Sequence, residues 1–224
     1  MQKYVLIVAG GSGKRMERGL PKQFIEVYGL PILMHTMNQF FTFDPSMPLT
    51  LILPEKQQHY WQILCVKHNF TLPHQICPGG PERFFSVKNG LDTLPDKGLV
   101  AVHDGVRPLV SNETIKRCFQ KAKKTGAAIP VMPLSESLRQ TTPDSSIAVD
   151  RNNYVSVQTP QVFSLELLKE AYQQEFDAHF TDDASVVEKL NHPIHLVEGN
   201  PENIKITRPM DLLIAEALIK SFKS

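Results

Sequence analysis

The stretch Tyr4-Val5-Leu6-Ile7-Val8-Ala9-Gly10-Gly11-Ser12-Gly13-Lys14-Arg15-Met16 decides the fold class. Its first six residues form a continuous apolar, β-prone run, as expected of a strand buried on both faces of a parallel sheet. Leu49-Thr50-Leu51-Ile52-Leu53 and Leu99-Val100-Ala101-Val102 read the same way. Ala127 to Met132 predicts a fourth strand, placed nearer a sheet edge because Pro130 removes a ladder donor. Helices are expected between the strands. Pro31 to Phe41 and Glu55 to His68 are two of them. A third starts at an N-cap offered by Ser111-Asn112-Glu113, continues through Ile115, Cys118, Phe119 and Ala122 on one face, and stops at Gly126. A fourth covers Pro209 to Phe222, with Met210, Leu213, Ile214 and Ala217 on an apolar face. Strands alternating with helices imply an α/β sheet sandwiched by helices.

The alternation lapses from about Leu134 to Pro160. That stretch is polar and Ser/Thr-rich, with short apolar pieces at Ile147-Ala148-Val149 and Tyr154 to Val157. It reads either as an extended β-arm or as a surface loop. The 224 residues suit one domain, 1–224, from which the stretch at about 134–160 protrudes. A net charge of +1 provides no global field to recruit nucleic acid or membrane, so any anion must be held by locally placed basic groups. Three cysteines, Cys65, Cys77 and Cys118, form neither a disulfide framework nor a CxxC metal site. The opening apolar run is too short for a secretory leader, and no run reaches the ~20 residues that span a bilayer. A reduced, cytoplasmic setting is therefore expected. His192 and His195 have HxxH spacing beside a proline, which reads as a strand neighbourhood rather than a metal site.

A strand that runs into Gly10-Gly11-Ser12-Gly13 is a phosphate-loop candidate, because glycines let backbone N–H groups converge on an anion. Arg15 after Lys14 excludes a Walker A loop, which needs Ser or Thr there. Met16 excludes the dinucleotide fingerprint, which needs a third small residue. What remains is a glycine turn followed by Lys14 and Arg15, then by Lys22 in Pro21-Lys22-Gln23, so that positive charge gathers around bound phosphates.

Gly11-x-Gly13-x-Arg15-Met16 with Pro21-Lys22-Gln23 resembles the signature of sugar-phosphate nucleotidyltransferases. Four later segments narrow the resemblance: Gly79 to Val87, His103-Asp104-Gly105-Val106-Arg107-Pro108, Val149-Asp150-Arg151-Asn152 with Gln158-Thr159-Pro160-Gln161, and Thr181-Asp182-Asp183-Ala184 with Asn203 to Pro209. In this order they are similar to the 2-C-methyl-D-erythritol 4-phosphate cytidylyltransferase family, and the likeness covers nearly the whole chain. The ribitol-5-phosphate cytidylyltransferases share most of the pattern.

The resemblance implies a Rossmann-like three-layer α/β/α sandwich with a mixed, mostly parallel sheet, and an extended β-arm for dimerisation. It implies transfer of a cytidylyl group from CTP to a sugar-alcohol phosphate, in a homodimer, with Mg²⁺ bound alongside CTP. No protein ligand for the metal is evident. Ala9, Gly10 and Gly11 would line the CTP site, with Gly80 and Ser86 reading cytosine. Pro81 stands where the family often has Asp, and proline has no N–H to donate. Arg15 and Lys22 would stabilise charge at the attacked phosphorus, and Arg151 and Lys205, catalytic as well, would hold the acceptor's phosphate. Asp104, Arg107, Arg151, Thr159, Thr181 and Lys205 would bind the acceptor. Three of these residues also have simpler readings: Thr181 as a helix N-cap, Arg107 as an ion-pair partner and Asp104 as a turn-former before Gly105. Arg83 reads as a buttress of its loop. An acceptor phosphate monoester is mostly dianionic at neutral pH, so no general base is required. A reading from a different class is a catalytically silent nucleotide-binding protein on the same fold.

Overall fold

The computed structural model describes residues 1–10 and 20–223, so Gly11 and Arg15 lie outside the described residues. In chain order the elements are β1 (Lys3–Val8), β2 (Glu26–Val27), β3 (Leu30–Pro31), α1 (Ile32–Phe43), β4 (Leu49–Leu53), α2 (Glu55–Lys67), β5 (Gln75–Pro78), α3 (Arg83–Asp92), β6 (Leu99–Asp104), α4 (Asn112–Thr125), β7 (Ala127–Pro133), β8 (Leu138–Thr141), β9 (Ser146–Val149), β10 (Val155–Val157), β11 (Gln161–Ser164), α5 (Leu165–Ala171), α6 (Asp183–Glu188), β12 (His195–Glu198) and α7 (Pro209–Lys223).

Eight of these strands form one sheet in the order β10-β7-β11-β6-β1-β4-β5, with β12 also paired to β7. β1 pairs in parallel with β4 and β6, β4 with β5, and β7 with β12. β11 and β10 run antiparallel to their neighbours. The sheet is thus mixed and mostly parallel. Alternation along each strand sends side chains into two layers. Val5 and Ile7 of β1 join a core with Leu33, Met37 and Phe40 of α1, Trp61 of α2, and Ile115 and Phe119 of α4. Leu6 faces the other way, into a core with Val87 and Leu91 of α3, Leu168 of α5 and Val187 of α6. A third cluster seats Leu212, Ala215 and Ile219 of α7 against Ile32, Val106 and Ile206. The result is the expected α/β/α sandwich.

β7 lies near the sheet edge, as Pro130 led us to expect, but it is not the edge strand itself, because β10 and β12 pair along it as well. Pro130 is tolerated because registered pairing with β11 ends at Ala128 and pairing with β10 begins at Val131, so its missing N–H falls where the ladder changes partner. The polar insertion is not one uniform arm either. β8 and β9 form a separate hairpin, whereas Val155–Val157 returns to the main sheet against β7. No helix among the described residues is long and apolar enough to cross a membrane.

Candidate active site

β1 sits where the strand order reverses, with β4 on one side and β6 on the other. The carboxyl ends flanking that point are where open α/β sheets bind ligands. A cleft opens there, lined by Ala9, Gly10, Lys22, Gly80, Pro81, Glu82, Arg83, Ser86, Asp104 and Lys205 among others. Residues expected at the site therefore converge from well-separated parts of the chain: Ala9 and Gly10, Lys22, Gly80 and Ser86, Asp104, and Lys205.

The turn after the glycine segment is anchored by Gln23, which is buried. Its Nε2 donates to the Ala9 carbonyl at 2.8 Å and to Gln57 Oε1 at 2.8 Å. This bond ties the short 3-10 turn Lys22–Phe24 to the end of β1 and so sets Lys22 at the cleft. The motif Pro21-Lys22-Gln23 contains Gln23 without assigning it a task. A buried amide beside a cation at a turn is the signal that points to one.

The opposite wall is the loop from β5 into α3. Ser86 Oγ accepts from the Gly80 N–H at 3.0 Å and donates to the Glu82 carbonyl at 3.0 Å, closing the loop over the first turn of α3. A Cβ at Gly80 would lie 2.4 Å from Phe85 Cβ and 3.0 Å from its backbone carbon, so this approach requires glycine. Arg83 braces the loop from behind. Its guanidinium makes two bonds to the fully buried Asp183, at 2.8 and 2.6 Å, and Tyr172 Oη donates to the same carboxylate at 2.7 Å. Fork-to-carboxylate geometry fixes direction as well as charge, which fits the reading of Arg83 as a buttress.

Asp104 ends β6 on the cleft floor. Its Oδ2 receives Arg107 Nε at 3.1 Å and Lys205 Nζ at 3.1 Å. Burial alone would raise this carboxyl, but Lys205, Arg83 and Arg107 outweigh it and hold Asp104 well below the usual carboxylate range. Arg107 also donates to the Asn203 carbonyl at 2.8 Å, an ion-pair and bracing position. Thr159 is buried behind Asp104. Its hydroxyl accepts from the Asp104 N–H at 3.1 Å and lies 2.9 Å from His103 Nδ1.

Arg107 and Thr159 pack behind the cleft rather than lining it, and Arg151 and Thr181 do not line it either. Arg151 lies in an exposed 3-10 turn, Arg151–Asn153, and donates to the Ser135 carbonyl. Thr181 is exposed and does not cap α6. Asp182 is the N-cap, with Ser185 completing a capping box, so the N-cap reading falls one residue early. Asp accepts the N3 amide as well as Thr does, and the following Asp183 is committed to Arg83.

A parallel-strand switch point at the end of β1, with Lys22, Lys205 and the clamped Asp104 around one cleft, suits an α/β enzyme of nucleotide phosphates, in the nucleotidyltransferase class. A profile of the 2-C-methyl-D-erythritol 4-phosphate cytidylyltransferase family matches residues 3–221, and the chain belongs to that family. It is 53% identical over 219 residues to the 2-C-methyl-D-erythritol 4-phosphate cytidylyltransferase of Bacteroides thetaiotaomicron, covering 98% of this chain and 100% of that one. Against the Porphyromonas gingivalis protein of the same name, identity is 51% over 221 residues, with 98% and 99% covered. Among solved structures, that of the Thermus thermophilus 2-C-methyl-D-erythritol 4-phosphate cytidylyltransferase superposes with a TM-score of 0.81 at 33% identity, covering 98% and 100%. The 4-diphosphocytidyl-2C-methyl-D-erythritol synthase of Anaerococcus prevotii gives 0.82 at 26%, covering 98% and 96%.

Proposed function

We propose that this chain transfers a cytidylyl group from CTP to 2-C-methyl-D-erythritol 4-phosphate, giving 4-diphosphocytidyl-2-C-methyl-D-erythritol and pyrophosphate. The observation that carries the proposal is the convergence of Lys22, the Gly80–Ser86 loop, Asp104 and Lys205 on one cleft. The acceptor phosphate oxygen attacks the α-phosphorus, and the bond to the β-phosphate oxygen breaks with pyrophosphate as leaving group. Charge spreads over the equatorial oxygens, and fixed cations lower that barrier without reorganising. On this reading Lys22 and Lys205, with Arg15, supply those cations. Asp104 keeps Lys205 oriented and faces the ligand's hydroxyls. Ala9 and Gly10 line the nucleotide, while Gly80 and Ser86 read the base.

Magnesium enters on this reading with the triphosphate, whose charge it neutralises. Among the described residues no three His, Cys, Asp or Glu side chains group to hold a metal. Asp104 is already shared by Arg107 and Lys205, so the donor set fits an ion brought in by the nucleotide rather than a protein cage. Arg151 and Thr181 complete the acceptor side as the family pattern implies. Arg151 does so from the arm of a second copy, because it does not line the cleft of its own chain. The exposed Ile147, Tyr154, Val155 and Val157 are the apolar surface such a homodimer would bury. A cytoplasmic location follows from the substrates, with neither nucleic acid nor membrane as a partner.

The test is pyrophosphate release by purified protein with Mg²⁺, each of the four nucleoside triphosphates, and either methylerythritol phosphate or ribitol 5-phosphate. Release with CTP and methylerythritol phosphate, abolished by chelator, is expected. Release with ribitol 5-phosphate alone transfers the assignment to that acceptor. CTP binding without turnover on either makes the chain a silent nucleotide-binding protein.

A further inference from the structure

Behind the cleft, side chains from three distant segments close a ring of hydrogen bonds. His103 Nε2 lies 3.1 Å from the Arg107 carbonyl, which can only accept, so the imidazole carries its proton there. Its Nδ1 is then an acceptor, and the Thr159 hydroxyl donates to it at 2.9 Å. The same oxygen accepts the Asp104 N–H. Asn203 Nδ2 donates to the Thr159 carbonyl at 2.8 Å, and the Asn203 carbonyl accepts from Arg107, which in turn bonds Asp104. His103, Asn203 and Thr159 are all buried, with His103 edge-on to the Phe40 ring at 4.9 Å.

The ring joins the β6 turn, the segment ahead of β11 and the segment that carries Lys205 shortly after Asn203. These are the pieces whose relative placement sets the 3.1 Å contact between Lys205 and Asp104. We propose that His103, Thr159 and Asn203 are positioning residues that hold Lys205 against Asp104 for the transfer, and that Thr159 acts through His103 rather than by touching the acceptor. This inference rests on the function proposed above.

The wild-type pyrophosphate assay settles that function independently. Given a working wild type, Thr159→Val removes only the hydroxyl. The expected result is a fall in kcat of about 10-fold or more, as small misplacements at a reacting centre produce. The KM for each substrate should stay within about threefold, and Thr159→Ser should restore most of the rate. In a His103→Phe background, Thr159→Val should add less than about a twofold further loss, because the two side chains act as one unit. Near-wild-type kcat for Thr159→Val overturns the proposal. So does a loss carried by the acceptor's KM, or one that multiplies fully with the His103→Phe loss, since both mark direct contact. Imidazole ¹⁵N spectra of the folded wild type give a readout independent of the His103 variant. His103 should be neutral with its proton on Nε2 from roughly pH 5.5 to 8, and a proton on Nδ1 overturns the ring as drawn.

Discussion

His103 shows how a single residue couples the site to the stability of the fold. Burial, partly opposed by the Arg107 carbonyl and by Asp104, lowers its pKa from 6.5 to about 4. The unfolded chain therefore binds a proton between those values that the folded chain refuses. The neutral imidazole's contribution is fully present above pH 6.5 and drains away as pH falls towards 4, a loss of about 3 kcal/mol at 1.36 kcal/mol per unit. Asp104, whose carboxyl is held low, contributes in the same direction only below about pH 4, where the unfolded carboxylate begins to protonate. Chemical denaturation of wild type and His103→Gln at a series of pH values checks this. The wild type should lose the larger amount between pH 6.5 and 4, and parallel curves would contradict it. None of this is legible in the sequence. His103 precedes Asp104 in a strand of continuous apolar character, and nothing local says that its two nitrogens will meet Thr159 and Arg107, 56 and 4 residues away. Lys22 and Lys205 are legible, because their neighbours form compact motifs.

At the scale of elements, local signals are legible and non-local ones are not. α4 carries both of its punctuation marks in the sequence: Ser111 accepts the Thr114 N–H, and Gly126 takes the left-handed conformation with φ of 84°. β11 is four residues long and antiparallel inside a mostly parallel sheet, so no periodicity announces it. α3 hides for another reason. It contains Gly90, a poor helix former, yet a Cβ there would lie 2.6 Å from Ile52 Cδ1, so the glycine permits close packing on the sheet. The loop entering α3 carries a prediction at this scale. Gly80→Ala would drive its Cβ into the Phe85 Cβ and backbone, which cannot swing aside as a long side chain would. The loop must lift from α3 and give up the Gly80-to-Ser86 bond. A stability loss of about 1–3 kcal/mol is expected. CTP affinity measured by calorimetry should fall about tenfold or more, consistent with losing a hydrogen bond and its geometry. Unchanged CTP affinity would remove this loop from the nucleotide site.

The whole molecule poses a question of completeness. The cleft assembles Lys22, Asp104 and Lys205 within one chain, yet Arg151 stands outside it, on an arm whose apolar residues are exposed. An arm of this kind is stable in solution when another surface covers it, and a symmetric dimer places the same patch on both copies. If Arg151 serves the neighbour's cleft, each site draws Lys205 from one chain and Arg151 from the other. Two inactive variants, Arg151→Ala and Lys205→Ala, then complement each other when their subunits are mixed. A mixed dimer has one site lacking both side chains and one site lacking neither. Random exchange at equal amounts makes half the dimers mixed, so activity should return to about a quarter of wild type. Sedimentation should show a dimer that substitution of Ile147 and Tyr154 by Lys weakens. If subunits demonstrably exchange and no activity returns, Arg151 does not act across the interface. The arm would then be a structural clasp and the acceptor site would be built within one chain.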